Sequence, residues 1–535
     1  METGKPRRNV RANHRRMLRI RTWFAHQAPS VVYLCSASTP PGVRTRLHTL
    51  STHAKIRRTS MDALIYFDTE DFFSPPEAPV HRLPGQLAEI MSRHGLPGCF
   101  HIHGEKARFM EAHGQTDVIE ALRRHDVSLH YDRGSIHPTM AEEVSQLDWY
   151  QAVDRVLFRE LPGFQALERI FGRCSGLTQH GGTSAAPIVY AAGRLGKPFF
   201  YSPFRLPGHN IVWYCNNLLI GGYQAGFYFD PFYRDTPAFE ERLAQVDDYL
   251  AERARSFDFT AMFGCHPVNT VMERFPDAMN FSGGANPPPD HWEPPKMVEG
   301  VSIPLILENF ERLVVKLVAH PDVEWTDVAG LKNLYGHRPV RVSDAIVMKA
   351  AEAVADNAGP TFTEDLSAAE TLFLLARRAL HPAEWYDVPQ VMGPTEGEPD
   401  GSPACLGSVP VGAIAQEIIA ACHSSGYLPA RLSPAAGSIA PEAALLALAC
   451  HALERPLPSA ESRNLSPDAI PGVLEATENV RGYQKWRIHG PEYHQPGIVE
   501  PFVRQCWTLK PALRDGGYGD GVEVGDYLNP MFERP

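Results

Sequence analysis

The first clear pattern along the chain is a short continuous apolar run at residues 64–67, Leu-Ile-Tyr-Phe. Such a run is typical of a strand that is buried on both faces. Three carboxylates follow within four positions, at Asp68, Glu70 and Asp71. Like charges repel and burial disfavours each of them, so a divalent metal is the simplest partner that would offset the cost. A solvated polar loop is the alternative for this stretch taken alone.

Short apolar segments alternate with amphipathic segments from residue 61 to about residue 334. Strands are predicted at 64–67, 98–104, 127–131, 177–180, 198–202, 260–266 and 323–327. Helices are predicted at 83–94, 117–124, 141–159, 165–171, 186–195, 237–256 and 303–319. This alternation predicts an α/β fold whose parallel sheet is closed, or nearly closed, into a (β/α) barrel.

The chain after residue 335 has a different pattern. Ala- and Leu-rich segments with helical spacing lie at 343–357, 367–380, 411–423 and 441–453. Ser367 and Glu370 have the spacing of a capping box. A Pro- and Gly-rich stretch at 382–410 is typical of a linker or long loop. We therefore predict a second, mainly α-helical domain at 336–535.

Ionisable residues follow strand after strand in the first region. They are Asp68, His103, His130, His180 and His266. The carboxyl ends of barrel strands converge on one face, where active sites of this class lie. A single histidine at a strand end is usually only a satisfied polar residue, but five ionisable ends on one face predict a shared site.

Charge is distributed unevenly along the chain. Residues 1–60 hold 13 Lys or Arg and one acid, which gives them a net charge of +12. The whole chain has a net charge of −11, so the remaining residues carry −23. An acidic body argues against nucleic-acid binding. The basic start is typical of a targeting peptide or a disordered arm, and an over-extended gene start is the third possibility, because Met61 directly precedes the first strand.

The amino-acid composition indicates what kind of protein this is. Apolar residues make up 44% and charged residues 21%, as in an ordinary globular protein. No apolar run is long enough to span a membrane. Nine cysteines without a CxxC pair argue for reduced thiols and favour a cytoplasmic location.

The residues can support metal-assisted hydrolysis. His130 ends a strand, and His137 begins a turn fixed by Pro138. Two neutral imidazoles and one carboxylate leave open positions on a zinc-like ion, which is the catalytic pattern. A second carboxylate could act as general base, and His266 could protonate a leaving group. A simple loop turn is the alternative for His137 and Pro138 alone.

Four motifs in this order resemble those of the polysaccharide deacetylases, the NodB-like carbohydrate esterases. They are residues 67–72 (Phe-Asp-Thr-Glu-Asp-Phe), 100–107 (Phe-His-Ile-His-Gly-Glu-Lys-Ala), 125–138, and 264–267 (Gly-Cys-His-Pro). The resemblance covers about residues 61–335. It implies a distorted, partly open (β/α) barrel and metal-dependent hydrolysis, most directly of an N-acetyl group on a sugar or polysaccharide.

The resemblance also implies roles for individual residues. Asp68 would be the base and His266 the general acid, with Asp71, His130 and His137 binding a divalent metal, for which zinc is the expected ion. The chain departs from the family in the spacing of its two histidines, with six intervening residues instead of three. It also lacks an arginine in the third motif, at residues 178–182.

These departures leave alternatives open. His180 could take the place of the missing arginine or be an additional metal ligand, and Glu70 could replace Asp71 on the metal. His103 is a further candidate at a strand end. The substrate could be a carbohydrate or a small-molecule amide or cyclic amide, and an inactive carbohydrate-binding module is the non-enzymatic alternative.

Overall fold

The computed structural model describes residues 61–526, except 182–183, 222–225, 256–259, 398–409, 434–437, 460–461, 464 and 492. The interpretation of residues 1–60 as a targeting or disordered segment therefore lies outside the described residues, as do residues 398–409 of the linker predicted at 382–410. The described residues all belong to one compact unit.

A long sheet is built around the first strand, in which all nine residues are buried. The strands of this sheet are β1 (Met61–Thr69), β2 (Cys99–Ile102), β3 (Asp126–Leu129), β4 (Leu177–Thr178), β5 (Phe199–Phe200), β6 (Ile211–Tyr214), β7 (Asn217–Ile220), β8 (Gly226–Tyr228), β9 (Ala261–Cys265), β10 (Val323–Trp325) and, from the far end of the chain, β13 (Lys510–Pro511). Their order is β13-β6-β7-β5-β4-β3-β2-β1-β9-β8, and β10 also pairs with β1.

The central part of the sheet is parallel, as the strand–helix alternation predicts. Strands β1 to β5 follow one another in parallel, and β9, β8 and β10 continue this direction on the other side. Strands β6 and β7 form an antiparallel hairpin that the alternation did not predict. Among the described strands β8 and β13 do not pair with each other, so the sheet is a curled, partly open half-barrel.

Helices of the first region cover the sheet. They are α1 (Leu83–Arg93), α2 (Gly104–Ala112), α3 (Thr116–Leu122), α4 (Met140–Val144), α5 (Trp149–Phe171), α6 (Ala186–Arg194), α7 (Thr236–Ala244), α8 (Val246–Ala254), α9 (Pro267–Val271), α10 (Pro276–Asn280), α11 (Ile303–Val318) and α12 (Val328–Tyr335). Helix α5 runs through Pro162, where the sequence predicted an interruption. Its apolar face packs on α6, and this burial outweighs the hydrogen bond that a proline cannot make.

The region after residue 335 is mainly helical, as predicted. It contains α13 (Asp344–Asn357), α14 (Ala368–Leu380), α15 (Val411–Ser425), α16 (Pro441–Ala452), α17 (Val473–Tyr483) and α18 (Pro496–Gln505), with a small antiparallel sheet of β11 (His337–Ser343), β12 (Trp385–Asp387) and β14 (Val522–Asp526). The capping box at the start of α14 is confirmed, because the N–H of Glu370 donates to Ser367 Oγ and that of Ser367 to Glu370 Oε2.

The C-terminal region also returns to the barrel. Strand β13 pairs with β6 in the large sheet, and the Tyr214 hydroxyl donates to the carbonyl of Phe502 at 2.9 Å. Trp507 is fully buried. The boundary near residue 335 and the independent folding of residues 61–335 stay predictions. No helix among the described residues combines the length and apolarity needed to cross a membrane.

Candidate active site

The parallel register brings Asp68 beside His101, because these two residues are partners in β1 and β2. His101 Nδ1 lies 2.8 Å from Asp68 Oδ1, and the Tyr201 hydroxyl donates to Asp68 Oδ2 at 2.9 Å. Burial alone would raise the pKa of Asp68, but His130, His101 and His266 together hold it well below its usual range. Asp68 is therefore an ionised carboxylate held in one orientation.

His266 follows strand β9 and lies next to this carboxylate, with Nε2 3.4 Å from Asp68 Oδ2. Its other nitrogen, Nδ1, donates to Asp230 Oδ2 at 2.6 Å, and its backbone N–H donates to Asp230 Oδ1. Burial would lower the pKa of His266, but the Asp230 carboxylate outweighs that effect and raises it to about 10. His266 is thus a protonated imidazole that can give up a proton.

Four buried side chains meet at the ends of four adjacent strands. Glu70, His103, His130 and His180 follow β1, β2, β3 and β4, and each offers one nitrogen or oxygen within 4.8 Å of the others. His130 Nε2 lies 2.8 Å and His180 Nδ1 3.0 Å from Glu70 Oε1. The two imidazole nitrogens are 3.1 Å apart. Such spacings are close to those between ligand atoms around one small cation.

Hydrogen bonds on the outer side of each imidazole fix which nitrogen faces the group. The Thr178 hydroxyl donates to the Leu129 carbonyl, so it accepts from His130 Nδ1 at 2.6 Å and leaves Nε2 with a lone pair. His103 Nδ1 donates to the Tyr131 carbonyl at 3.3 Å. This pattern of a donated outer N–H and an inward lone pair is typical of histidines that bind metals.

His180 follows the same pattern, because its Nε2 lies 2.7 Å from Asp277 Oδ2 and its Nδ1 faces Glu70. Burial would lower the pKa of His180, yet Glu70 and Asp277 raise it to about 10. Burial, together with the charge of His180, lowers the pKa of His103 to about 4. A proton on His180 and a cation bound by the group are therefore alternatives for the same position.

The donor set fits a divalent metal. Glu70 Oε2 and His103 Nε2 are buried, and among the described residues they have no hydrogen-bond partner. A buried polar atom without a partner is costly, and a cation bound by His103 and the Glu70 carboxylate would offset this cost. One carboxylate oxygen and three imidazole nitrogens are ligands that zinc and similar ions accept.

The structure brings only part of the predicted metal set together. His130 belongs to the group, whereas Asp71 and His137 do not. Asp71 Oδ1 instead accepts the backbone N–H groups of Phe73 and Ser74, at 3.0 and 3.2 Å. The carboxylate therefore closes the turn after β1. Glu70, which the sequence offered as the alternative to Asp71, is the carboxylate that lies with the histidines.

His137 lies in a separate environment. Its Nδ1 is 2.6 Å from Glu142 Oε2, and its Nε2 donates to the Phe281 carbonyl at 3.1 Å. Glu142 also closes the capping box of α4 with Thr139, so the local helix start fixes His137 away from His130. The two histidines line different cavities. A metal set of Asp71, His130 and His137 is therefore not what the geometry offers.

Several site residues were not predicted from the sequence. His101 and Tyr201 hold Asp68, Asp230 holds His266, and Asp277 holds His180. His101 could have been found from its register opposite Asp68. Asp230 follows an apolar segment at 226–229, which is the signal that marked the other strand ends.

A cavity of about 510 Å³ opens onto these side chains. Asp68, Glu70, His130, His180 and His266 line its barrel side. The C-terminal region contributes a second part of the wall, and its residues are Gly482, Tyr483, Lys485, Trp486 and Arg487. Both regions of the chain therefore contribute to the site.

Comparisons with known proteins give a fold-level likeness only. No family model matches the sequence, and no curated protein matches it. Among solved structures, a chain from Mycobacterium smegmatis assigned as a polysaccharide deacetylase and an allantoinase are each 12% identical, with a TM-score of 0.32, and each match covers 51% of this chain and 89% of the other. A family 4 carbohydrate esterase from Streptomyces lividans, in complex with acetate, is 11% identical over 48% of this chain and 90% of its own, with a TM-score of 0.26. Likenesses this low do not assign a function.

Proposed function

We propose that this chain is a metal-dependent hydrolase of non-peptide carbon–nitrogen bonds, with removal of an acetyl group from an N-acetylated sugar as the first candidate reaction. One observation carries the proposal. Three imidazole nitrogens and a Glu70 oxygen converge on one buried position, directly beside an ionised Asp68 and a protonated His266. Such a combination of ligands, base and acid in a cavity is what amide hydrolysis requires.

Glu70, His103, His130 and His180 would hold the metal. When bound, a divalent ion of this kind supplies Lewis acidity, which polarises an acyl carbonyl and makes water easier to deprotonate. Asp68 accepts the proton of the attacking water, whose oxygen bonds to the acyl carbon. His101 and Tyr201 keep the Asp68 carboxylate oriented for this transfer.

His266 completes the reaction on the leaving group. Its Nε2 carries the proton that passes to the substrate nitrogen as the carbon–nitrogen bond breaks, and Asp230 stabilises the protonated form. The products are a carboxylic acid and an amine, so water is the only co-reactant. Because Asp68 and His266 are already adjacent, neither has to move far during the reaction.

A small-molecule amide or cyclic amide is the second candidate substrate. The observation that favours it is the cavity of about 510 Å³, which is the size of pockets that enclose small ligands. Trp486 of the C-terminal region lines this cavity as well.

The first test combines metal removal with a product assay on the full-length protein. We expect the purified protein to release acetate from N-acetylated sugars or, from small amides, to release ammonia or form the ring-opened product. Chelation should abolish this release, and re-addition of the metal should restore it. Full activity in chelated protein that elemental analysis shows to be metal-free would overturn the proposal. Failure of the metal-loaded protein on both substrate panels would favour the inactive binding module.

A further inference from the structure

The wall contributed by the C-terminal region is held firmly against the barrel. The Trp486 ring packs edge-on against His180, with ring centroids 5.4 Å apart. Gly181 has a φ of +51°, and a Cβ there would lie 1.9 Å from the Trp486 ring. Ile488 is buried in an apolar cluster with Phe73 and Phe281. Trp486 and Ile488 therefore anchor the segment that carries Lys485 and Arg487 against the barrel.

Two positively charged residues of this wall flank the tryptophan in sequence. Lys485 and Arg487 are exposed, and both line the cavity. No described residue forms an ion pair with either of them within 4.0 Å, whereas Arg481 on the preceding helix pairs with Glu478. Arg487 also borders a neighbouring cavity that Glu273 and Glu293 line.

The charge of this wall is opposite to that of the protein as a whole. The chain after residue 60 carries a net charge of −23, yet the charged residues described on the C-terminal wall are both positive. The acids described in the cavity are Asp68 and Glu70, on the barrel side. Two cations without a partner at the mouth of a cavity form a binding position for an anion.

We propose that the substrate is an N-acyl compound that carries a carboxylate, and that Lys485 and Arg487 bind this carboxylate while Trp486 packs against the ring of the substrate. The inference rests on the proposed function for the position of the acyl group, which lies at the barrel side beside Asp68. Sugar rings and aromatic rings both pack on indole, so the carboxylate could belong to an acidic N-acetyl sugar or to an N-acetylated aromatic amino acid.

The test compares acids with their neutral amides. The probes are N-acetylmuramic acid and its primary amide, and N-acetylphenylalanine and its primary amide. Acetate release gives kcat/KM for each, and calorimetry gives the Kd of each. We expect the metal-loaded protein to prefer the acid of at least one pair by about tenfold, because cations bind carboxylates through charge-assisted hydrogen bonds. The pair that shows the preference identifies the source of the carboxylate.

Lys485→Met with Arg487→Met should lower the ratio of acid to amide by about tenfold, chiefly through KM and Kd. The control is Arg481→Met with Lys316→Met, which removes the same charge outside the cavity and should leave the ratio unchanged. A ratio near one in the unaltered protein, or an equal fall in both double variants, would overturn the inference. If no probe is hydrolysed but the acids bind through Lys485 and Arg487, the proposed function fails, and the assignment of these two residues as the carboxylate-binding position stands. Absence of both hydrolysis and binding would overturn both.

Discussion

The strand ends and the loop after β3 place their histidines by different means. His103, His130 and His180 follow adjacent parallel strands, so the register of the sheet sets their positions. His137 lies only seven residues after His130, yet a local contact with Glu142 turns it towards another cavity. Proximity in sequence is therefore a weaker guide to this site than the order of the strands.

The two acids that follow β1 show the same contrast. Asp68 faces the cavity and contacts His101 and His266. Asp71, three residues later, closes a turn through the N–H groups of Phe73 and Ser74. We infer that the first acts in the chemistry and the second in the local structure, and the following predictions are designed to test this difference.

The largest expected effect concerns Asp68 and His266. Asp68→Asn keeps the size of the side chain but removes the proton acceptor, so activity should fall by ~100-fold to ~10,000-fold while bound metal is retained. Asp68 should shape the acidic limb of the pH–rate profile and His266, whose pKa is raised to about 10, the alkaline limb. Activity and metal content are measured on the same samples. Full activity in Asp68→Asn would refute its role as base.

Asp71→Asn should have a smaller effect, and mainly on stability. The variant keeps an acceptor for the turn but loses the carboxylate that favours the charged form of the buried Lys106. We expect the free energy of unfolding to fall by about 1–2 kcal/mol, with metal content and kcat close to those of the unaltered protein. Urea unfolding and elemental analysis provide the measurements. Loss of metal in Asp71→Asn would show that Asp71 is a metal ligand after all.

Glu160 should have the smallest effect on activity, because it lies outside the site and contributes only to the dependence of stability on pH. Burial raises the pKa of Glu160 to about 8, even though it accepts the N–H of Asp132 at 2.7 Å. A carboxyl with a raised pKa stabilises the fold at low pH, and this contribution is lost as the pH rises through about 8. The free energy of unfolding should thus fall by about 1–4 kcal/mol between pH 5 and pH 8. Glu160→Gln should flatten this part of the curve, and an unchanged slope would contradict the assignment.

Much of the fold follows from local patterns. The apolar run at 64–67 predicts β1, and the alternation of short strands with helices predicts the parallel sheet. The hairpin of β6 and β7 was missed, because its short apolar segments lack an intervening helix. The return of the chain to the sheet at β13 was missed for another reason. Two residues, Lys510 and Pro511, carry no period that could reveal a strand.

The site was only partly predictable. Strand-end position identified Asp68, His130, His180 and His266, and His103 as a candidate. The choice between Glu70 and Asp71 depended on which side chain a turn would engage, and this is set by backbone geometry rather than by residue type. The contribution of Trp486 could not be predicted, since it depends on how the C-terminal region packs against the barrel.

The central claim is that the metal ligands lie at strand ends and not in the loop after β3, and metal content tests it most directly. His130 belongs to both possible ligand sets, so the informative pair is His103→Gln and His137→Gln. Elemental analysis of both proteins, loaded with zinc and then desalted, gives the stoichiometry. We predict about one zinc per chain in the unaltered protein and in His137→Gln, and far less in His103→Gln. Zinc lost from His137→Gln but retained by His103→Gln would contradict the claim.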